Sequence, residues 1–143
     1  MSWVWLALLS GLAAGIVATL GKAGLEKVDS NLGFAIQSVV ILIVSWSVVF
    51  FQGKAIETRD IELKNFGVLL LTGAISAIGY LLYFGALKSG AASQVAPVDR
   101  LSLIFAIVFA TIFLKEKLTP QIMLGAALMA IGAILIALVK PDK

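Results

Sequence analysis

The stretch Val95–Leu103, VAPVDRLSL, places an acid, a base and a proline inside an apolar run. Asp99 and Arg100 are its charged pair. A charge at the centre of a membrane-spanning helix costs on the order of 2.5–3.5 kcal/mol, so such residues pair with one another or line polar paths. Adjacent helical positions lie about 100° apart, so the two side chains cannot face one direction. Asp99 shares a face with Ser102 and Ala106, whereas Arg100 shares one with Leu103 and Ile104. Each therefore needs its own partner, on another helix or in water. Pro97 leaves a backbone carbonyl uncovered one turn earlier. In a second reading the helix begins at Pro97, leaves Asp99 in its first turn near the headgroups, and still spans from Pro97 to Leu114.

Other candidates lie on helical faces. Gly73, Ser76, Tyr80 and Tyr83 share one, and buried phenols need hydrogen-bond partners. Pocket lining and interfacial anchoring both fit this face. Gln37, Ser38 and Ser45 add polarity to an earlier run. Ala7, Gly11, Gly15 and Ala18 form a small face that continues to Lys22. Small residues let helices approach closely in lipid. Lys22 then either snorkels to the interface or stands as a cation at a cavity mouth. Ala126, Ala130, Ala133 and Ala137, with Gly125 and Gly132 alongside, make an uninterrupted small stripe suited to a seam with another helix or a second subunit.

These faces need elements to carry them. Hydrophobic residues make up 61% of the 143 residues and charged residues 13%. Soluble domains are roughly 45–50% apolar and about 25% charged, so this chain cannot cover a water-facing surface. It reads as an all-α, multi-pass integral membrane protein. Apolar runs near 20 residues mark helices able to cross a hydrocarbon core of roughly 30 Å. Five are present, at about 3–25, 33–51, 66–87, 91–114 and 121–139, in one domain over 1–143. The first lacks a basic leader, and its apolar length exceeds that of a signal peptide, so it reads as a retained span. Asp29–Asn31 supplies cap-type residues before the second span. Thr119 and Pro120 suit the cap and first position of the last. The longest connection, QGKAIETRDIELKN, reads as a solvated or interface-lying linker.

With no cysteine, no histidine and eight carboxylates, the chain offers no metal-ligand cluster, thiol nucleophile or Ser/His/Asp set. An enzyme, a cofactor and a nucleic-acid partner are therefore not expected. The cations of the loops divide evenly: Lys22, Lys27, Lys88, Lys140 and Lys143 on one side, Lys54, Arg59, Lys64, Lys115 and Lys117 on the other. Orientation normally follows a Lys/Arg bias, and none is present. Either another feature sets the orientation, or the chain inserts both ways and pairs antiparallel.

The segments GKAGLEKVDSNL, YLLYFGALKSGAASQVAPVDRLS and FLKEKLTPQIMLGAALMAIGAILI together resemble the drug/metabolite transporter superfamily, EamA type, and its five-span half-size bacterial and archaeal members. The last segment carries the Glu-x-x-Thr pattern on Glu116 and Thr119 ahead of a Gly-rich helix. Two positions depart from the family pattern, since Gln37 and Gly85 are neutral where basic residues are frequent. That departure bears on any preference for anionic substrates. The resemblance implies ten helices in two inverted five-helix units, which a half-size chain would complete as an antiparallel homodimer. It further implies a secondary transporter exporting small metabolites or amphipathic compounds by alternating access, in contact with membrane lipid. Lys22, Gln37, Ser76, Tyr80, Tyr83, Asp99, Arg100 and Ser102 would then bind substrate, with the last span packing the dimer. A flippase for a lipid-linked intermediate and a non-transporting subunit that stabilises a partner are the alternatives.

Overall fold

The computed structural model describes residues 2–55 and 61–139. Arg59, Lys140 and Lys143, part of the even charge division, lie outside the described residues. Six helices follow one another: α1 (Trp3–Gly24), α2 (Ser30–Phe51), α3 (Leu63–Ser89), α4 (Ala92–Asp99), α5 (Ser102–Phe113) and α6 (Pro120–Ala137). No strand occurs among the described residues. Five segments are long and apolar enough to cross a membrane, α4 and α5 together forming the fourth as Ala92–Phe113. The expected single helix over 91–114 is thus one span made of two helices.

Local chemistry explains the ends. Asp29 caps α2 by accepting from the N–H groups of Asn31 (2.9 Å) and Leu32 (3.2 Å). Thr119 caps α6 through the N–H of Ile122, with Pro120 in the first turn, where its missing donor costs nothing. α2 stops at Gln52, followed by Gly53 at φ 69°, a left-handed conformation that glycine adopts readily. α5 stops at Leu114, followed by a left-handed residue too, but there it is Lys115 at φ 55°. α3 starts three residues earlier than the apolar pattern indicates, drawing Leu63, Lys64 and Asn65 out of the long connection.

The buried apolar side chains among the described residues are Ala18, Leu25, Phe84, Leu87 and Ala133. Long side chains such as Leu69, Leu82, Phe105 and Leu128 point outward. In water so thin a core could not hold a fold. In lipid an outward Leu loses nothing, and helices are held by backbone hydrogen bonds and close packing.

Contacts divide the chain into two units, the first running to Lys22 and resuming at Ser89, the second being Ala23–Lys88. In the second, the beginning of α2 meets the end of α3. Leu25, Phe84 and Leu87 form its buried centre. A Cβ on Gly33 would stand 2.5 Å from Leu25 Cδ2, so only glycine fits there without displacing a buried leucine. Lys88 donates from Nζ to the carbonyls of Leu25 and, at 3.1 Å, Glu26, covering acceptors just past the end of α1.

In the first unit α6 packs chiefly against α4 and less against α5. Along the small-residue stripe of α6, Ala133 is buried, Ala126, Ala130 and Gly132 are half-buried, and Gly125 and Ala137 are exposed. Gln94 of α4 donates from Nε2 to the carbonyl of Val139 at 2.8 Å, just past the end of α6. The small face of α1 is split. Ala18 is buried, whereas Ala7, Gly11 and Gly15 are exposed, and a Cβ on either glycine would meet nothing within 4 Å. The close approach that small residues allow is not made at those two glycines among the described residues.

Candidate functional site

Most hydroxyls inside the spans are already occupied. Thr19 bonds to the carbonyl of Gly15 (3.1 Å), Ser38 to Ala35 (2.8 Å), Ser45 to Leu42 (3.0 Å), Ser47 to Ile43 (2.7 Å), Thr72 to Leu69 (2.9 Å) and Thr111 to Ile107 (2.8 Å). Each turns its polarity back onto its own helix, which is how a serine or threonine sits in lipid. Ser76 and Ser102 make no such bond among the described residues, so their hydroxyls stay available.

The fourth span carries the main irregularity. Pro97 lies inside α4 and has no N–H for the carbonyl of Ser93. Past it the ladder tightens: the N–H of Arg100 is shared between Ala96 (3.3 Å) and Pro97 (3.2 Å), and that of Leu101 reaches Val98 (3.0 Å). On the far side Leu103 bonds back to Arg100 and Ile104 to Leu101, both at 3.0 Å. These are three-residue steps in place of four-residue ones, and α5 begins only at Ser102. Asp99, Arg100 and Ser102 are all exposed at this break. Neither sequence reading foresees it, since one continues the helix through Asp99 and the other starts it at Pro97. The proline was the available signal; its effect falls after the ring, where the helix re-forms out of step.

The second constellation lies in Ala23–Lys88. Phe34 and Tyr80 stack with ring centroids 5.6 Å apart and planes 12° apart. Phe84 tilts against Phe34 at 5.7 Å, and Tyr83 meets Phe84 edge-on at 6.2 Å. Tyr80 remains 46% exposed, so one side of the stack is open. Gln37, half-buried, lies one turn beyond Phe34 on α2, while Ser76 is exposed one turn before Tyr80. Phe34 and Phe84, absent from the expected site, join the two tyrosines into one aromatic group. Their signal in the sequence was the aromatic spacing Tyr80–Tyr83–Phe84 opposite a lone Phe34.

The expected residues therefore fall into two sets. Lys22, half-buried in the last turn of α1, belongs with Asp99, Arg100 and Ser102 to the first unit. Gln37, Ser76, Tyr80 and Tyr83 belong to the second. Among the described residues no three His, Cys, Asp or Glu side chains gather as a metal site. What both sets offer is recognition: charge and hydroxyl at a break in a span, and a partly open aromatic face.

Five apolar spans among the described residues, the fourth interrupted just after Asp99, define a multi-pass membrane protein. The chain belongs to the EamA-like transporter family, which matches residues 1–138, and is a transporter of the cell membrane. It is 38% identical over 136 residues to an uncharacterized transporter from Sinorhizobium sp, encoded in a cobO 3' region, covering 95% of this chain and 96% of that one. An uncharacterized protein of Methanocaldococcus jannaschii is 28% identical over 99 residues, 69% of this chain and 71% of the relative. A riboflavin transporter of Brucella anthropi is 29% identical over 127 residues, which cover 89% of this chain but only 43% of that protein. No solved structure matches.

Proposed function

We propose that the chain is a secondary transporter that exports small metabolites or amphipathic compounds by alternating access, working as an antiparallel homodimer of ten helices. The interruption of the fourth span at Arg100–Leu101 is the observation that carries this reading. A tightened turn that carries open charge within a span is tolerated where it lines a watered cavity or is buried in protein, and transporters place their sites at interrupted helices. Asp99 and Arg100 are assigned a charged site or gate, Ser102 and Ser76 hydrogen bonding, Tyr80 and Tyr83 aromatic contact, and Lys22 an outer cation.

The dimer is supported by two independent facts. The chain matches 43% of the length of the riboflavin transporter, so two copies supply what one longer relative holds. Its loop cations carry no orientation bias. The organic nature of that relative's substrate is consistent with an aromatic contact at Tyr80, while the identity of this chain's substrate is left to a screen.

A thermal-shift screen of the purified protein against metabolite and lipid libraries, followed by flux in proteoliposomes with and without a proton gradient, tests the transport reading. Stabilising compounds are expected to be carried. Binding with no flux would favour a non-transporting subunit, and stabilisation by lipid-linked compounds alone a flippase. For the dimer, a cysteine placed at Lys54 of the cysteine-free chain is expected to react with an impermeant thiol reagent from both faces of sealed vesicles. Labelling from one face only would end the antiparallel assignment.

A further inference from the structure

We propose that the Arg100–Leu101 break is a hinge, on which α5 swings while α4 and α6 move together as one body. The two halves of the fourth span are held differently. α4 lies along α6, with Ala133 buried in the first unit and the Gln94 side chain on the carbonyl of Val139. α5 makes a lesser contact with α6, and no side-chain hydrogen bond ties it to that helix among the described residues. Its one hydroxyl bond, Thr111 to Ile107, is internal to α5.

Between the halves the ladder is soft. Pro97 removes the bond to Ser93, and the shared Arg100 N–H is long at 3.3 and 3.2 Å. Short three-residue bonding inside a helix commonly marks a point of bending, and prolines are a principal cause of kinks. The residues at the bend are Asp99, Arg100 and Ser102, so a swing of α5 changes where the Ser102 hydroxyl stands relative to the Asp99 carboxylate. This goes beyond the assignment of those residues to a site, because it says which helix moves and which stays.

The cysteine-free sequence allows a direct measurement. Ser93, Phe113 and Gln121 are exposed, so each accepts a spin label as a cysteine variant. Ser93 to Phe113 spans the break over roughly 30 Å of helix, and Ser93 to Gln121 runs a similar length along α4 and α6. Labelled chains are reconstituted in lipid with an excess of unlabelled protein, so that pulsed spin–spin distances report single chains. The Ser93–Phe113 distribution is expected to be about twofold broader than the Ser93–Gln121 one. Pro97→Ala, which returns a donor to Ser93, is expected to narrow the first and leave the second unchanged. Equal widths in the parent protein overturn the hinge, as does a Ser93–Phe113 width that Pro97→Ala leaves intact. No flux enters the measurement, so its failure leaves the transport reading standing.

Discussion

The two units use the same materials in opposite ways. Where the start of α2 meets the end of α3, polar groups are closed off: Asp29 caps α2, Lys88 covers the carbonyls of Leu25 and Glu26, and Leu25, Phe84 and Leu87 fill the space beside them. In the fourth span charge is left open, with Pro97 unable to donate to the Ser93 carbonyl and Asp99, Arg100 and Ser102 exposed beside the turn that follows. A closed arrangement lends stability to whatever is attached to it. An open one gives up stability for chemistry and motion. The comparison predicts that substitutions in the two places will read out in different experiments.

The largest effect on flux is expected at the open end. Asp99→Asn and Arg100→Gln each keep the shape of the side chain and remove its charge. Either change should lower flux of a stabilising compound by about tenfold or more, the equivalent of about 1.4 kcal/mol or more at the barrier. Because both side chains are exposed, the unfolding midpoint in detergent should stay within about 2 °C of the parent. A large loss of midpoint with either variant would show that the charges hold the fold, and the contrast between the units would collapse.

At the closed end the pattern should invert. Leu87 is fully buried, and Leu87→Ala removes its contacts at a cost of about 2–4 kcal/mol. Gly33→Ala introduces a Cβ against Leu25 Cδ2 and should cost about 1–2 kcal/mol through displacement of that leucine. Both belong in thermal or denaturant unfolding of the purified protein. Flux per folded molecule should change less than it does with Asp99→Asn. A Gly33→Ala protein as stable as the parent would mean that the packing at Leu25 is looser than its burial indicates.

This division also governs what could be read from sequence. The spans were legible because lipid imposes length and apolarity on each, whatever its neighbours are. The caps at Asp29 and Thr119 were legible because capping is local chemistry. The break was not, since the effect of Pro97 on the ladder depends on how the helix resumes beyond Arg100. The alanine stripe of α6 was visible as a seam, yet its partner was not. A stripe of small residues states that something comes close and does not say what; among the described residues the helix that carries it packs chiefly against α4. The tyrosines were visible on their helix, whereas Phe34 belongs to the same group only through the meeting of α2 and α3.

The smallest effect lies at two helix ends that pose one problem and solve it differently. α2 leaves through Gly53 at φ 69°, and α5 leaves through Lys115 at φ 55°. A side chain in the left-handed region costs about 1–2 kcal/mol, because Cβ crowds the following carbonyl. Glycine avoids that cost but loses about 0.5–1 kcal/mol more chain entropy on folding. The balance predicts that Lys115→Gly stabilises by about 0.5 kcal/mol, a rise of about 1–2 °C in the unfolding midpoint. Gly53→Lys should destabilise by a similar amount. The two shifts have opposite sign, so a pair of melting curves on the same preparation decides the matter without absolute free energies. A fall with Lys115→Gly would mean that the Lys115 side chain stabilises the end of α5 by more than its backbone costs. In that event the strain at that end is held by a contact, and the first unit is less open there than at Asp99.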